Sequence, residues 1–269
     1  MFRVSSVLCF LGVLVFLSGC GDEPAADRPQ QEPVHVASPG AESLIPRSVL
    51  FGNPERVAPE LSPDGATIAY LAPVDGVLNL WLMDASGDNP RQLTSDEDRG
   101  ITQFLWTEDG RYILYLQDEA GEENTHVYRI TVETGEVLDL TPFPGVKAYV
   151  SATDRDQPGR VLIDMNKDNR MFFDVYSCDL ETGELEMVMD NTGFTADGDM
   201  IVGFSTDEDM NVRLQVTIDP DNGDMTVHHR WTADSPWEVL KSYPGQDQWF
   251  PDRFDKEGTA LFVRSNLDR

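Results

Sequence analysis

The sequence predicts an all-β fold, a β-propeller of four-stranded blades, and three observations predict it. A unit of 40–50 residues recurs, first as Leu61-Ser-Pro-Asp-Gly-Ala-Thr-Ile-Ala-Tyr-Leu71 and again as Phe104-Leu-Trp-Thr-Glu-Asp-Gly-Arg-Tyr-Ile-Leu-Tyr-Leu116. A ladder of turn glycines, Gly87, Gly135, Gly183 and Gly223, is spaced 48, 48 and 40 residues apart. Between these turns lie short runs of β-formers, too short for helices and too continuously apolar for a half-exposed sheet. Periods near 40–50 with strand-sized segments are the signature of one blade per repeat.

The chain has 269 residues, room for one large all-β domain or two ordinary ones. Hydrophobic residues make up 40%, enough for a real core. The formal net charge of −28 argues against nucleic acid as a partner, because phosphates are repelled. That charge alone selects no partner, and a solubilising surface is its simplest meaning.

The first segment is predicted to be a signal. Arg3 precedes an apolar run from Val4 to Leu17, shorter than a comfortable transmembrane helix. The run ends in Leu17-Ser18-Gly19-Cys20, which resembles the bacterial lipobox. That resemblance implies cleavage after residue 19, lipidation of Cys20 and a stable acyl anchor. The expected address is a membrane-anchored lipoprotein, with Gly21 after the cysteine resembling an outer-membrane sorting signal in a Gram-negative cell. Residues 20–43 hold the lipidated cysteine and a tether with Pro24, Pro29, Pro33 and Pro39, predicted to be disordered.

Residues 44–269 form the predicted propeller. In the first two blades Asp64-Gly65 and Asp109-Gly110 supply the positive φ of a tight turn between strands. The runs after them, Thr67–Leu71 and Arg111–Leu116, read as buried strands, and Trp81, Trp106 and Tyr128 read as packing between blades. Thr134-Gly135-Glu136 and Thr182-Gly183-Glu184 are the same three-residue turn after a third strand. Residues 146–192 form a third blade with strands at Arg160–Asp164 and Phe172–Asp179. Residues 193–233 form a fourth, opening at Ala196-Asp-Gly198. A fifth opens at Asp255-Lys-Glu-Gly258 with Thr259–Val263 as its strand, and the last blade is incomplete. Two outcomes are expected for that edge: Ser48–Phe51 closes the ring, or the natural product is longer.

Phe51-Gly-Asn-Pro-Glu-Arg56, Leu61-Ser-Pro-Asp-Gly65, Gly76-Val-Leu-Asn-Leu-Trp81, Gly121-Glu-Glu-Asn124 and Asp139-Leu-Thr-Pro-Phe143 resemble the propeller of bacterial prolyl oligopeptidase-family serine peptidases. The resemblance is densest over residues 45–145, and the blade repeat by itself equally suits TolB-type propellers. In the peptidase family the propeller caps an α/β-hydrolase domain and limits access to it. The resemblance therefore implies a gate, with the missing hydrolase domain and a peptide or protein ligand as partners. A Gly-x-Ser-x-Gly elbow is absent from this sequence, so no catalytic residue is assigned and the chain as given is not expected to be an enzyme. A longer product carrying that domain would be a serine peptidase. The alternative is a stand-alone TolB-like lipoprotein that binds proteins or peptides in the cell envelope.

Some relatives in that family hold a peptide's free amino group on propeller carboxylates, which makes Glu122 and Glu123 the candidate binding pair. The simpler reading is a hairpin loop. Asp219-Pro-Asp-Asn-Gly-Asp224 resembles a calcium loop but lacks its one-three-five spacing with glycine at six and the closing Glu, and Asp164-Met-Asn-Lys-Asp168 has the start but neither that glycine nor the closing Glu. No metal site and no cofactor are expected, since phosphate loops, paired-Cys sites and nucleotide fingerprints are absent. Cys178, the one cysteine in the predicted propeller, reads as a small core side chain rather than a nucleophile.

Overall fold

The computed structural model describes residues 54–118 and 121–267, together with 47 and 52. The predicted signal, Cys20, the tether and the suggested closing strand Ser48–Phe51 lie outside the described residues.

Eighteen strands are described, and they pair antiparallel in chain order. The first sheet holds β1 (Val57–Leu61), β2 (Thr67–Val74), β3 (Val77–Asp84) and β4 (Arg91–Gln92). The second holds β5 (Gln103–Trp106), β6 (Tyr112–Gln117), β7 (His126–Thr131) and β8 (Val137–Asp139). The third holds β9 (Ala148–Thr153), β10 (Arg160–Met165), β11 (Asp174–Asp179) and β12 (Leu185–Met189). The fourth holds β13 (Met200–Thr206), β14 (Val212–Ile218), β15 (Met225–His229) and β16 (Glu238–Tyr243), and a fifth pairs β17 (Trp249–Phe254) with β18 (Leu261–Ser265). Four-stranded blades following one another along the chain are those of a β-propeller.

The turn chemistry explains the first hairpin of each early blade. Gly65 stands at φ +76° and its N–H reaches Ser62 O at 2.9 Å. The Ser62 hydroxyl donates to Asp64 Oδ1 at 2.6 Å, and the same oxygen accepts Ala66 N–H at 3.0 Å. Thr107, Asp109 and Gly110 repeat this arrangement in the second blade. A less obvious repeat lies in the Leu-Thr pairs that close blades one and two. Thr94 Oγ1 accepts Leu80 N–H at 2.9 Å, and Thr141 Oγ1 accepts Val127 N–H at 3.0 Å. Each hydroxyl thus satisfies a buried N–H of the third strand where the short fourth strand runs out.

The cores lie between blades. On β6, Ile113 and Tyr115 pack towards the first blade, while Tyr112 and Leu114 pack towards the third. Side chains alternate across a strand, so a blade buried on both faces needs an unbroken apolar run, as in Tyr112–Leu116. Two further clusters join the third blade to the fourth and the fourth to the fifth. Arginines tie neighbouring blades: Arg91 donates to Val132 O at 2.7 Å, and Arg129, 6% exposed, donates to Leu180 O at 2.8 Å. Trp106 behaves as expected, packing on the core between the first two blades and donating from Nε1 to Glu60 O at 3.4 Å. Tyr128 packs on the same core and stacks on Tyr115 with centroids 5.2 Å apart. Trp81 is half-buried, and its Nε1 has no hydrogen-bond partner.

The fourth blade corrects the expected frame. It runs to Tyr243, not to residue 233, because β16 supplies its last strand. The Gly223 turn joins β14 to β15, the second and third strands, whereas Gly87, Gly135 and Gly183 join third to fourth. Ala196-Asp-Gly198 precedes β13 instead of following a first strand, with only a bridge between Phe194 and Met200 around it. A positive-φ turn signals a tight reversal, not its place in the blade. In the third blade Phe172 and Phe173 precede β11, and in the fifth Asp255–Gly258 joins β17 to β18, so that blade begins at Trp249.

Candidate functional site

Glu122 and Glu123 stand on the loop between β6 and β7, and both are exposed. Glu123 has φ +62°, and its N–H donates to Asp118 Oδ2 at 3.1 Å. That bond and Arg99, whose Nε lies 3.5 Å from Asp118 Oδ1, hold the Asp118 carboxyl below its ordinary range. The loop is therefore tied to the connection between the first and second blades, and the two glutamates project from a braced hairpin. At the start of β7, His126 Nδ1 pairs with Asp139 Oδ2 at 2.9 Å.

A groove of about 380 Å³ lies between the third and fourth blades. Its walls include Phe194, Phe204 and Trp237, and its polar groups include Asp190, Gln215 and His228. The local fold explains how a polar residue comes to face it. Thr206 pairs with Val212 and Ser205 with Leu214, leaving Arg213 as the extra residue of a bulge. A one-residue slip exchanges the faces of a strand. Val212 accordingly packs in the core shared with the third blade, while Leu214 and Val216 pack in the core shared with the fifth. Gln215 and Thr217 are left towards the groove side. His228 Nε2 lies 3.2 Å from Thr217 Oγ1, and burial lowers the His228 pKa, with Asp199 opposing the shift. Phe194 is 51% exposed and meets Phe172 edge-on at 5.9 Å. Gly193, at φ +87°, is what allows Phe172 to come so close, since a Cβ there would lie 2.6 Å from its ring.

Cys178 is fully buried, and burial pushes its thiol up to about 12, the opposite of a reactive cysteine. In the Asp219–Asp224 turn the side chains serve the backbone: Asp219 Oδ1 accepts Asp221 N–H and Asn222 Oδ1 accepts Asp224 N–H. Asp164 lies inside β10 at 8% exposure and is not a loop ligand. Among the described residues no three His, Cys, Asp or Glu side chains gather as metal ligands.

The groove was the feature sequence reasoning missed. Its one signal was Gln215 between Leu214 and Val216 in a strand that is otherwise core.

No family model matches the chain. It is 36% identical over 231 residues to dipeptidyl aminopeptidase BIII of Pseudoxanthomonas mexicana, covering 84% of this chain and 32% of that protein. It is 29% identical over 236 residues to dipeptidyl peptidase family member 6 of Caenorhabditis elegans, covering 81% and 31%. Oligopeptidase B from Trypanosoma brucei superposes with a TM-score of 0.52 at 12% identity, covering 77% of this chain and 30% of that one. Over most of its length this propeller is similar to a part of dipeptidyl peptidases. The propeller spans about a third of the length of the curated relatives it matches. At 12% identity the likeness to oligopeptidase B speaks for the fold of the propeller alone.

Proposed function

We propose that this chain is the access-limiting, non-catalytic propeller of a lipid-anchored serine peptidase. The 36% identity with dipeptidyl aminopeptidase BIII carries the reading, because it covers most of this chain and only a third of that enzyme. Blades joined by shared cores and arginine ties make a stiff frame, which is what a gate requires. The chemistry then belongs to an α/β-hydrolase domain, and the substrates are peptides with a free amino end. Cys20 supplies the membrane anchor, and the acidic propeller stands clear of the bilayer on its tether.

The purified chain is expected to show no turnover of aminoacyl or dipeptidyl nitroanilides above buffer. Turnover that a serine-directed inhibitor abolishes would place a catalytic site within these 269 residues and overturn the reading.

A further inference from the structure

Gln215 places a largely buried amide on the groove wall. It is 6% exposed, lines the groove between the third and fourth blades, and makes no side-chain hydrogen bond among the described residues. The other buried polar residues of β14 are satisfied. Thr217 Oγ1 lies 3.2 Å from His228 Nε2 and donates to Thr226 O at 3.4 Å. Arg213 reaches Asp207, Arg230 O and Gly258 O. An amide on a groove wall can exchange water for the polar groups of a ligand, and a ligand that fails to replace those hydrogen bonds binds less well. Gln215 offers a donor and an acceptor side by side, which matches the donor and acceptor of a peptide backbone.

The surroundings narrow the ligand. Phe194, Phe204 and Trp237 form an aromatic wall, and the volume of about 380 Å³ suits one large side chain with its flanking backbone. One face of Trp237 is already covered by Arg230, 4.6 Å from the ring centroid, so the wall offers its other surfaces. Asp190 lines the groove and Asp199 acts electrostatically on His228, in a chain of net charge −28. That potential repels acidic peptides and favours basic ones.

We propose that the groove between the third and fourth blades binds an internal peptide segment: a bulky apolar side chain against the aromatic wall, its backbone paired with Gln215, and a basic neighbour facing Asp190. This site needs neither a free amino terminus nor a hydrolase domain, so it stands apart from the gate reading and from Glu122 and Glu123.

Calorimetric titration with the capped peptide acetyl-Ala-Lys-Phe-Lys-Ala-amide tests it. Capping removes the terminal ammonium that the loop glutamates would hold. The capped peptide is expected to bind the full chain, and replacing its Phe by Gly or both Lys by Glu is expected to weaken binding by about ten-fold or more. Gln215→Leu is expected to cost about ten-fold with the parent peptide. Phe194→Ala, at a half-exposed ring, is expected to weaken binding while lowering the melting temperature by no more than a few degrees, the loss of its edge-on contact with Phe172. No binding up to about 1 mM, or equal binding by the three peptides or by wild type and both variants, would overturn the proposal. So would self-association of the chain that disappears in Phe194→Ala, which would give the groove to a second copy.

Discussion

Arg213→Met is expected to lower the stability of the propeller by about 3–5 kcal/mol, the largest loss from any single side chain outside the apolar cores. Arg213 Nη1 lies 2.9 Å from Asp207 Oδ2, with the two side chains only 9% and 6% exposed. Removing the cation leaves a buried carboxylate without its ion partner, held only by N–H donors of Asp209 and Asn211, and that penalty exceeds the worth of a surface pair. Further contacts go with it. Nε donates to Arg230 O at 2.6 Å, Nη2 to Gly258 O at 3.3 Å, and the guanidinium lies 5.0 Å from the Phe254 ring centroid. Two of these reach the fifth blade, so the last hairpin should loosen first. Thermal melting is expected to fall by about 10 °C. In the double variant with Asp207→Asn the loss should be smaller than the sum of the single losses, because the stranded charge is gone. A drop of about 1 kcal/mol or less for Arg213→Met would show that the pair is not a clamp.

Stability is expected to pass through a maximum near pH 4–5, to decline as the pH rises through about 6 and then to level off. Burial pushes the Asp164 carboxyl from 3.8 up to about 6, and its Oδ1 has no hydrogen-bond partner. Ser151 and Tyr149 lie near enough to oppose the shift in part, although Ser151 Oγ makes no bond of ordinary geometry. The folded state therefore holds this proton more tightly than the unfolded chain, so stability falls as pH rises between those two values. Burial raises Glu60 and Asp174 in the same sense. The opposite group comprises Asp64, Asp109, Asp118, Asp179 and Asp255, each held below its ordinary range by turn and loop hydrogen bonds. Their contribution is complete above the unfolded value of 3.8 and is lost as pH falls through the folded ones. Asp164→Asn separates this local effect from relief of the overall negative charge. It should raise stability at pH 7.5 by up to about 3 kcal/mol and change it little at pH 4. Denaturant unfolding at the two pH values measures this, and a destabilised variant at pH 7.5 would show that the carboxylate has partners beyond those seen.

The first three blades were legible because their signals are local. Asp-Gly and Thr-Gly-Glu turns mark reversals, and Tyr112–Leu116 is apolar on both faces because both faces are covered. The Thr94 and Thr141 hydroxyls show that the recurring Leu-Thr pair was also structural, although its bond to the third strand depends on a register no local pattern displays. The fourth blade defeated the same reasoning. Its Gly198 and Gly223 turns look like those of earlier blades but sit at different strand junctions. The groove was harder still. It exists because a bulge at Arg213 moves Gln215 to another face, and a bulge leaves no mark in the alternation of Val-Arg-Leu-Gln-Val-Thr-Ile. Glu122 and Glu123 were found as a loop pair, and the brace from Asp118 and Arg99 explains how that loop is held.

The most direct test of the central claim uses native membranes treated with a fluorescent serine-directed phosphonate. Labelled proteins are separated by size and each band is sequenced by mass spectrometry. A gate belonging to an anchored peptidase predicts that peptides from residues 54–267 appear in washed membranes, within a labelled band well above the 30.1 kDa of this chain. Finding those peptides only in an unlabelled species near 30 kDa, or only in the soluble fraction, would contradict it.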